Sequence, residues 1–149
     1  KRIGKGNVIF EMPKFRTMHV DTPALPSHLM ANPDAYLFSF GSFLRQYSID
    51  EFPQLFSILK GEMSLIGPRP DYYIHALEYL KSVKGYRDRH DIRPGITGLS
   101  QIRLGYAEGL EATAKKASID NYYIQNVGYI IELKIIINTI ITIIRGIGK

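Results

Sequence analysis

Residues 7–18 (NVIFEMPKFRTM) read as two short strands joined around Met12-Pro13 as a hairpin, with a period of two along the second. The alternation puts Lys14, Arg16 and Met18 on one face and Phe15 and Thr17 on the other. Residues 19–42 are rich in Pro, Ser, Asn and Asp without a sustained period, and read as loop with room for a short helix. A short apolar helix is expected through Leu55, Phe56, Ile58 and Leu59, stopping at Gly61, a residue suited to the left-handed position past a helix end. Between 71 and 86, Tyr73, Leu77, Leu80 and Val83 recur at helical spacing, and 108–126 reads as a further, Ala-rich helix ending near Asn126 or Gly128.

The last predicted helix, Tyr129 to Ile144, is strongly apolar, yet Lys134, Asn138, Thr142 and Arg145 fall at i, i+4, i+8 and i+11 as a polar stripe. At a rise of about 1.5 Å per residue it reaches about 24 Å, short of the roughly 30 Å hydrocarbon core of a bilayer. It is expected to lie along a membrane or cap a core rather than span. The fold class is α+β: a small β-hairpin with several helices, some amphipathic and lying at the membrane interface.

Composition narrows the function classes. The chain has 149 residues, 45% hydrophobic and 22% charged, which fits one globular domain, 1–149. It contains no cysteine, so neither disulfides nor a thiolate metal site hold it together. Its formal charge of +5 favours anionic partners such as nucleotides, lipid phosphates, nucleic acid or an acidic membrane surface, without choosing among them. The first residues, 1–14, lack the continuous apolar core of a secretory signal. The four histidines, His19, His28, His75 and His90, have no zinc-binding spacing and read as incidental, with His90 the strongest exception. Neither a P-loop, a GxGxxG fingerprint nor a GxSxG elbow is present. The tyrosines of DNYYIQN read as packing, and Asp120 as a surface acid.

The stretch QYSIDEFPQLFSILKGEMSLIGPRP, residues 46–70, concentrates the candidate chemistry. Ser48 and Glu51 match a capping-box spacing, while Pro53 offers a rival helix start; either would set Asp50 and Glu51 at a helix N-terminus. An adjacent acid pair is common on any surface. Kept ionised by a helix end and nearby cations, however, one carboxylate could attack phosphorus and the other could hold a hard divalent ion such as Mg2+. The candidate phosphate-binding cations are Lys14, Arg16, Arg45, Arg69 and Arg93. Each alone could be a plain surface charge, but Arg69 is fixed between Pro68 and Pro70, and guanidinium forks suit bidentate phosphate contact. In RPGITGLSQ, residues 93–101, Gly95 and Gly98 permit close backbone approach or form two tight turns.

Taken in order, Lys14-Phe15-Arg16-Thr17-Met18, Phe43-Leu44-Arg45, Asp50-Glu51-Phe52-Pro53-Gln54-Leu55, Leu59-x-Gly61-x-Met63-Ser64-Leu65-Ile66-Gly67-Pro68-Arg69-Pro70 and Arg93-Pro94-Gly95-Ile96-Thr97-Gly98-x-x-Gln101 closely resemble the bacterial sugar transferase family. These are the monotopic polyprenyl-phosphate phosphoglycosyl transferases that start exopolysaccharide, O-antigen and glycoprotein glycan assembly. The resemblance implies transfer of a sugar phosphate from a UDP-sugar to polyprenyl (undecaprenyl) phosphate, at the cytoplasmic face of the bacterial inner membrane. It implies Asp50 as the nucleophile, a phosphosugar-aspartyl intermediate, release of UMP, and Glu51 as the magnesium ligand. It also implies an N-terminal re-entrant membrane helix ahead of Lys1-Arg2-Ile3-Gly4, so the chain is expected to be a catalytic domain without its anchor. Many relatives carry Gly-Arg soon after the glutamine, where this chain reads Gln101-Ile102-Arg103-Leu104-Gly105-Tyr106, which leaves Arg103 without an assigned role.

Two other readings compete. The net charge and the cluster Arg87, Arg89, His90 and Arg93 fit a basic membrane-surface or nucleic-acid-binding module, though no nucleic-acid-reading motif accompanies them. A nucleotide-sugar hydrolase would use water in place of the lipid, against which the apolar C-terminal face argues.

Overall fold

The computed structural model describes residues 1–23, 30, 32–105 and 109–146; His28, Tyr106 and Glu108 lie outside them. The fold is α+β, with six α-helices and two small two-stranded sheets among the described residues.

The first sheet is an antiparallel pair of β1 (Arg2–Ile3) and β2 (Ile9–Phe10), in the register Arg2 with Phe10 and Ile3 with Ile9. This corrects the predicted hairpin. The turn is a 3-10 turn over Lys5–Asn7, with Gly6 and Asn7 at positive φ, and not Met12-Pro13. Residues 11–17 are not strand; only Met18 makes an isolated bridge, to Leu37. Pro13 cannot donate to a ladder, and a Gly-Asn pair reverses the chain at lower cost than Met-Pro.

The helices α1 (Ser39–Gln46), α2 (Gln54–Leu59) and α3 (Tyr73–Ser82) follow. Gly61 lies at φ 78°, the left-handed position expected after α2. Between α2 and α3 runs β3 (Ser64–Ile66), which pairs in parallel with β4 (Gly95–Thr97), Ser64 opposite Gly95 and Ile66 opposite Thr97. Glycine is required here. A Cβ on Gly95 would lie 2.1 Å from the Gly67 nitrogen, and one on Gly98 2.2 Å from the Gly67 oxygen. Gly95 and Gly98 thus serve close backbone approach to Gly67 rather than two tight turns.

After β4 come α4 (Leu99–Leu104), α5 (Gly109–Gln125) and α6 (Tyr129–Ile144). One apolar cluster joins Ile3, Ala76, Val83, Tyr86 and Ala117, tying β1 to α3 and α5. A second joins Leu99, Tyr123 and Ile135, with Ile66 and Ile131 against it. Helix α6 packs through Ile131, Ile135 and Thr139, four residues apart, and Thr139 Oγ1 meets Thr97 Oγ1 at 2.7 Å. Its opposite side, with Ile130, Leu133, Ile137, Ile141 and Ile144, is exposed. At 100° per residue Lys134 and Asn138 fall between the two apolar sides, whereas Thr142 falls on the side of Ile135. Helix α6 therefore caps the core through one side, one of the two placements expected, and no described helix is long and apolar enough to cross a membrane.

Candidate active site

Asp50 and Glu51 lie in a 3-10 turn, Ile49–Glu51, that runs through Phe52 and Pro53 into α2. The capping box does not form. Ser48 sits at φ 55°, outside the extended region an N-cap occupies, and makes no side-chain cap bond. The charges at the turn are instead set by side chains brought from elsewhere. The Phe15 amide donates to the Asp50 carbonyl at 2.9 Å, which lays the segment carrying Lys14 across the turn. Lys14 Nζ stands 2.6 Å from Glu51 Oε1 and 3.7 Å from Asp50 Oδ2.

Arg69 closes the arrangement from the other side. Its Nη1 donates to Glu51 Oε2 at 3.1 Å and its Nη2 to Glu51 Oε1, a fork on both carboxylate oxygens. Nη1 also reaches the Ile96 carbonyl at 3.4 Å, which accepts from Gln101 Nε2 at 3.2 Å as well. The β3–β4 pairing makes this possible, since it sets the Gly67-Pro68-Arg69-Pro70 loop beside β4; the Gly67 amide bonds the Thr97 carbonyl and the Gly95 amide the Pro68 carbonyl.

The two acids are thereby driven apart. Burial raises the Asp50 carboxyl above its ordinary value; Lys14 and Arg45 pull it back, while Glu51 adds to the rise. Burial would raise Glu51 too, but Arg69 and Lys14 outweigh it and lower Glu51 to about 2. Neighbouring carboxylates with divergent affinities for protons suit different tasks.

The remaining predicted site residues divide. Arg45 donates from Nε to the buried Thr17 Oγ1 at 2.9 Å and is close enough to act on the Asp50 charge. Arg16 and Arg93 form no ion pair with a described carboxylate; Arg93 instead lies against Gly61. Arg103 stands 5.9 Å from the Tyr122 ring centroid, away from the acids in the contacts it makes. His90 is buried, with Nδ1 2.8 Å from Asn7 Oδ1, and burial together with Arg89 lowers it to about 4, so it is neutral at pH 7.

Two expectations need correcting. Asp120 is not a surface acid: it is buried and holds Arg89, whose Nε and Nη2 both reach its Oδ2, at 2.9 and 2.8 Å. Arg89 and His90 are likewise buried, so residues 87–93 do not form a continuous basic surface. Sequence periodicity gives no hint of this buried network, which also takes in Asp71, Tyr86 and Lys116. The one available signal is Asp71 directly after the Pro-Arg-Pro loop. Among the described residues no three acidic or histidine side chains gather into a ready-made metal cluster.

The model of the bacterial sugar transferase family matches residues 1–146. The chain is 38% identical over 147 residues to a UDP-N-acetylgalactosamine-undecaprenyl-phosphate N-acetylgalactosaminephosphotransferase of Aeromonas hydrophila, covering 99% of this chain and 35% of that protein. It is 37% identical over 141 residues to a UDP-glucose:undecaprenyl-phosphate glucose-1-phosphate transferase of Caulobacter vibrioides, covering 93% of this chain and 53% of that one. The enzyme of the same description from Escherichia coli is 36% identical over 130 residues, or 85% of this chain and 28% of its own. The chain thus spans between about a quarter and a half of the length of these relatives. By the family model and by these relatives, this chain belongs to the bacterial sugar transferase family.

Proposed function

We propose that this chain is the catalytic part of a phosphoglycosyl transferase that moves a sugar phosphate from a UDP-sugar to undecaprenyl phosphate. The observation that carries the reading is the carboxylate pair in its cationic clasp: Glu51 held by Arg69 and Lys14, with Asp50 beside it and Lys14 within 3.7 Å. The names of the relatives supply the substrates.

In this reading an Asp50 carboxylate oxygen attacks the phosphorus that bears the sugar. The bond from that phosphorus to the bridging oxygen breaks, UMP leaves with the electron pair, and a phosphosugar-aspartyl ester remains. A phosphate oxygen of the lipid then attacks the same phosphorus, the bond to Asp50 breaks, and the carboxylate is regenerated. Splitting one displacement into two in this way asks little covalent chemistry of the protein beyond position and charge. Lys14 and Arg69, already gathered around an anion, can neutralise the incoming diphosphate, with Arg45 behind them.

Glu51 offers the carboxylate oxygens a hard divalent ion takes, and would hold one together with phosphate oxygens of the donor once Lys14 and Arg69, which occupy both oxygens here, turn to those phosphates. Bound there with the donor, magnesium would draw charge from the transferring phosphoryl group. The membrane enters through apolar surface. Phe52, Leu55, Phe56 and Leu59 follow the two acids at helical spacing and are all exposed, as is the outer side of α6. This surface favours a lipid acceptor over water, and with Arg89 and His90 buried a nucleic-acid module loses its basic patch.

The test is UMP release from a panel of UDP-sugars with undecaprenyl phosphate and magnesium, using the full-length protein. Asp50→Asn should lower the rate on the order of 10³-fold or more. An Asp50→Asn enzyme that releases UMP at the parent rate ends the assignment.

A further inference from the structure

Arg89 is only 1% exposed, and every part of its guanidinium is engaged. Nε and Nη2 hold Asp120 on α5, Nη1 holds Asp71 Oδ2, and Nη2 also donates to the main-chain carbonyl of Arg69 at 2.8 Å. Asp71 accepts further from Tyr86 Oη at 2.7 Å and from Lys116 Nζ at 2.5 Å. Two cations thus face two anions, so the buried set is balanced in charge. Burial opposes ionisation of Asp71, yet Arg89 and Lys116 hold its carboxyl well below the usual range.

Such a network is costly to desolvate and often no more stabilising than apolar residues of equal volume. Its geometry indicates another use. Pro68 and Pro70 restrict the backbone on either side of Arg69, and the clamp grips the same loop at the Arg69 carbonyl and at the Asp71 carboxylate. What is left to vary is the Arg69 side chain, which forks onto Glu51.

We propose that Arg89 is a positioning residue for the site: held by Asp120 and Asp71, it fixes through the Arg69 carbonyl the direction from which the Arg69 guanidinium meets Glu51. A lysine would keep the charge but present its donors from one point, and could not span Asp120, Asp71 and the carbonyl together. The catalytic consequence rests on the function proposed above, whereas the positional one does not.

Two measurements on the full-length protein test it. In guanidinium NMR, Arg69 of the parent should show distinct, slowly exchanging Nη signals, and Arg89→Lys should merge them at unchanged temperature. In UMP release, Arg89→Lys should lower kcat/KM about tenfold or more, yet lower it less than about twofold further when Arg69 is already alanine. A merely structural role predicts full, multiplicative losses in the double variant and unchanged Arg69 signals; either result overturns the proposal. Asp120→Asn, which keeps shape and one acceptor, serves as the second variant should Arg89→Lys lack a cooperative melting transition. A parent enzyme that releases no UMP from any UDP-sugar would refute the proposed function alone, because the NMR comparison still decides the clamp.

Discussion

At Asp50, burial lifts the carboxyl while the neighbouring Glu51 is held down near 2 by Arg69 and Lys14 against its own burial. Two pH effects of opposite origin follow. A nucleophilic Asp50 must be ionised, so the acid limb of the pH–rate profile should lie above the ordinary aspartate value of 3.8. Glu51 acts on stability instead. Its folded-state affinity for protons is depressed, so its contribution is fully present above about 4.5 and is lost as pH falls toward about 2. Asp71, depressed in the same direction, adds to that loss, whereas Asp50 opposes it. Glu51→Gln should therefore flatten part of the acid unfolding curve, read by circular dichroism between pH 4.5 and 2, and should cut UMP release on the order of 10²-fold while weakening its magnesium dependence. An acid unfolding curve identical to the parent's would contradict the ion pairs described for Glu51. The adjacent acids and the rigid Arg69 were legible from residue identity and neighbours alone. Arg89 and Asp120 were not, because burial of a charge depends on partners far along the chain.

Among the elements, the helices with sustained apolar periodicity were legible: Tyr129–Ile144 was expected with the bounds it has, and α3 and α5 within a few residues. The strands were not. β3 and β4 have three residues each, too few for alternation to register, and their pairing joins positions 64 and 95, which no local pattern links. The N-terminal hairpin was displaced because the side chains of residues 14–18 suggest a strand that does not form, while the reversal occurs at Gly6-Asn7. The glycines carry the consequence. Gly95→Ala would drive a methyl into the backbone of residues 66 and 67, with contacts of 2.6 and 2.1 Å that no rotamer change relieves. It should destabilise by about 1–3 kcal/mol in thermal unfolding and separate the Arg69 loop from β4, with activity falling beyond the stability loss. Gly95→Ala with the parent's Tm would show that the two strands do not approach this closely.

For the whole molecule, the exposed apolar sides of α2 and α6 exceed what scattered surface residues present. The amphipathic reading was legible only in part, because α6 is apolar on two opposite sides and its sequence alone does not say which is packed. The side bearing Ile135 is buried; the side bearing Leu133 and Ile137 is not. Replacing Leu133 and Ile137 together by serine removes no core contact, so thermal stability should shift by no more than about 1 kcal/mol. Co-sedimentation with vesicles containing anionic lipid should fall several-fold in the same variant. Undiminished sedimentation would mean that α6 does not face the membrane.

The bond between Arg89 and Asp120 also bears on how the molecule comes into being. A ribosome releases the chain from its amino end, so Asp50, Glu51 and Arg69 emerge well before the α5 residue that completes the grip on the Arg69 loop. During that interval the nascent polypeptide carries the acid pair and Arg69 without the buried contact that holds the Arg69 loop. If Arg89 steadies the Arg69 loop as proposed, that loop gains its final hold only once Asp120, far downstream of it, has left the ribosome.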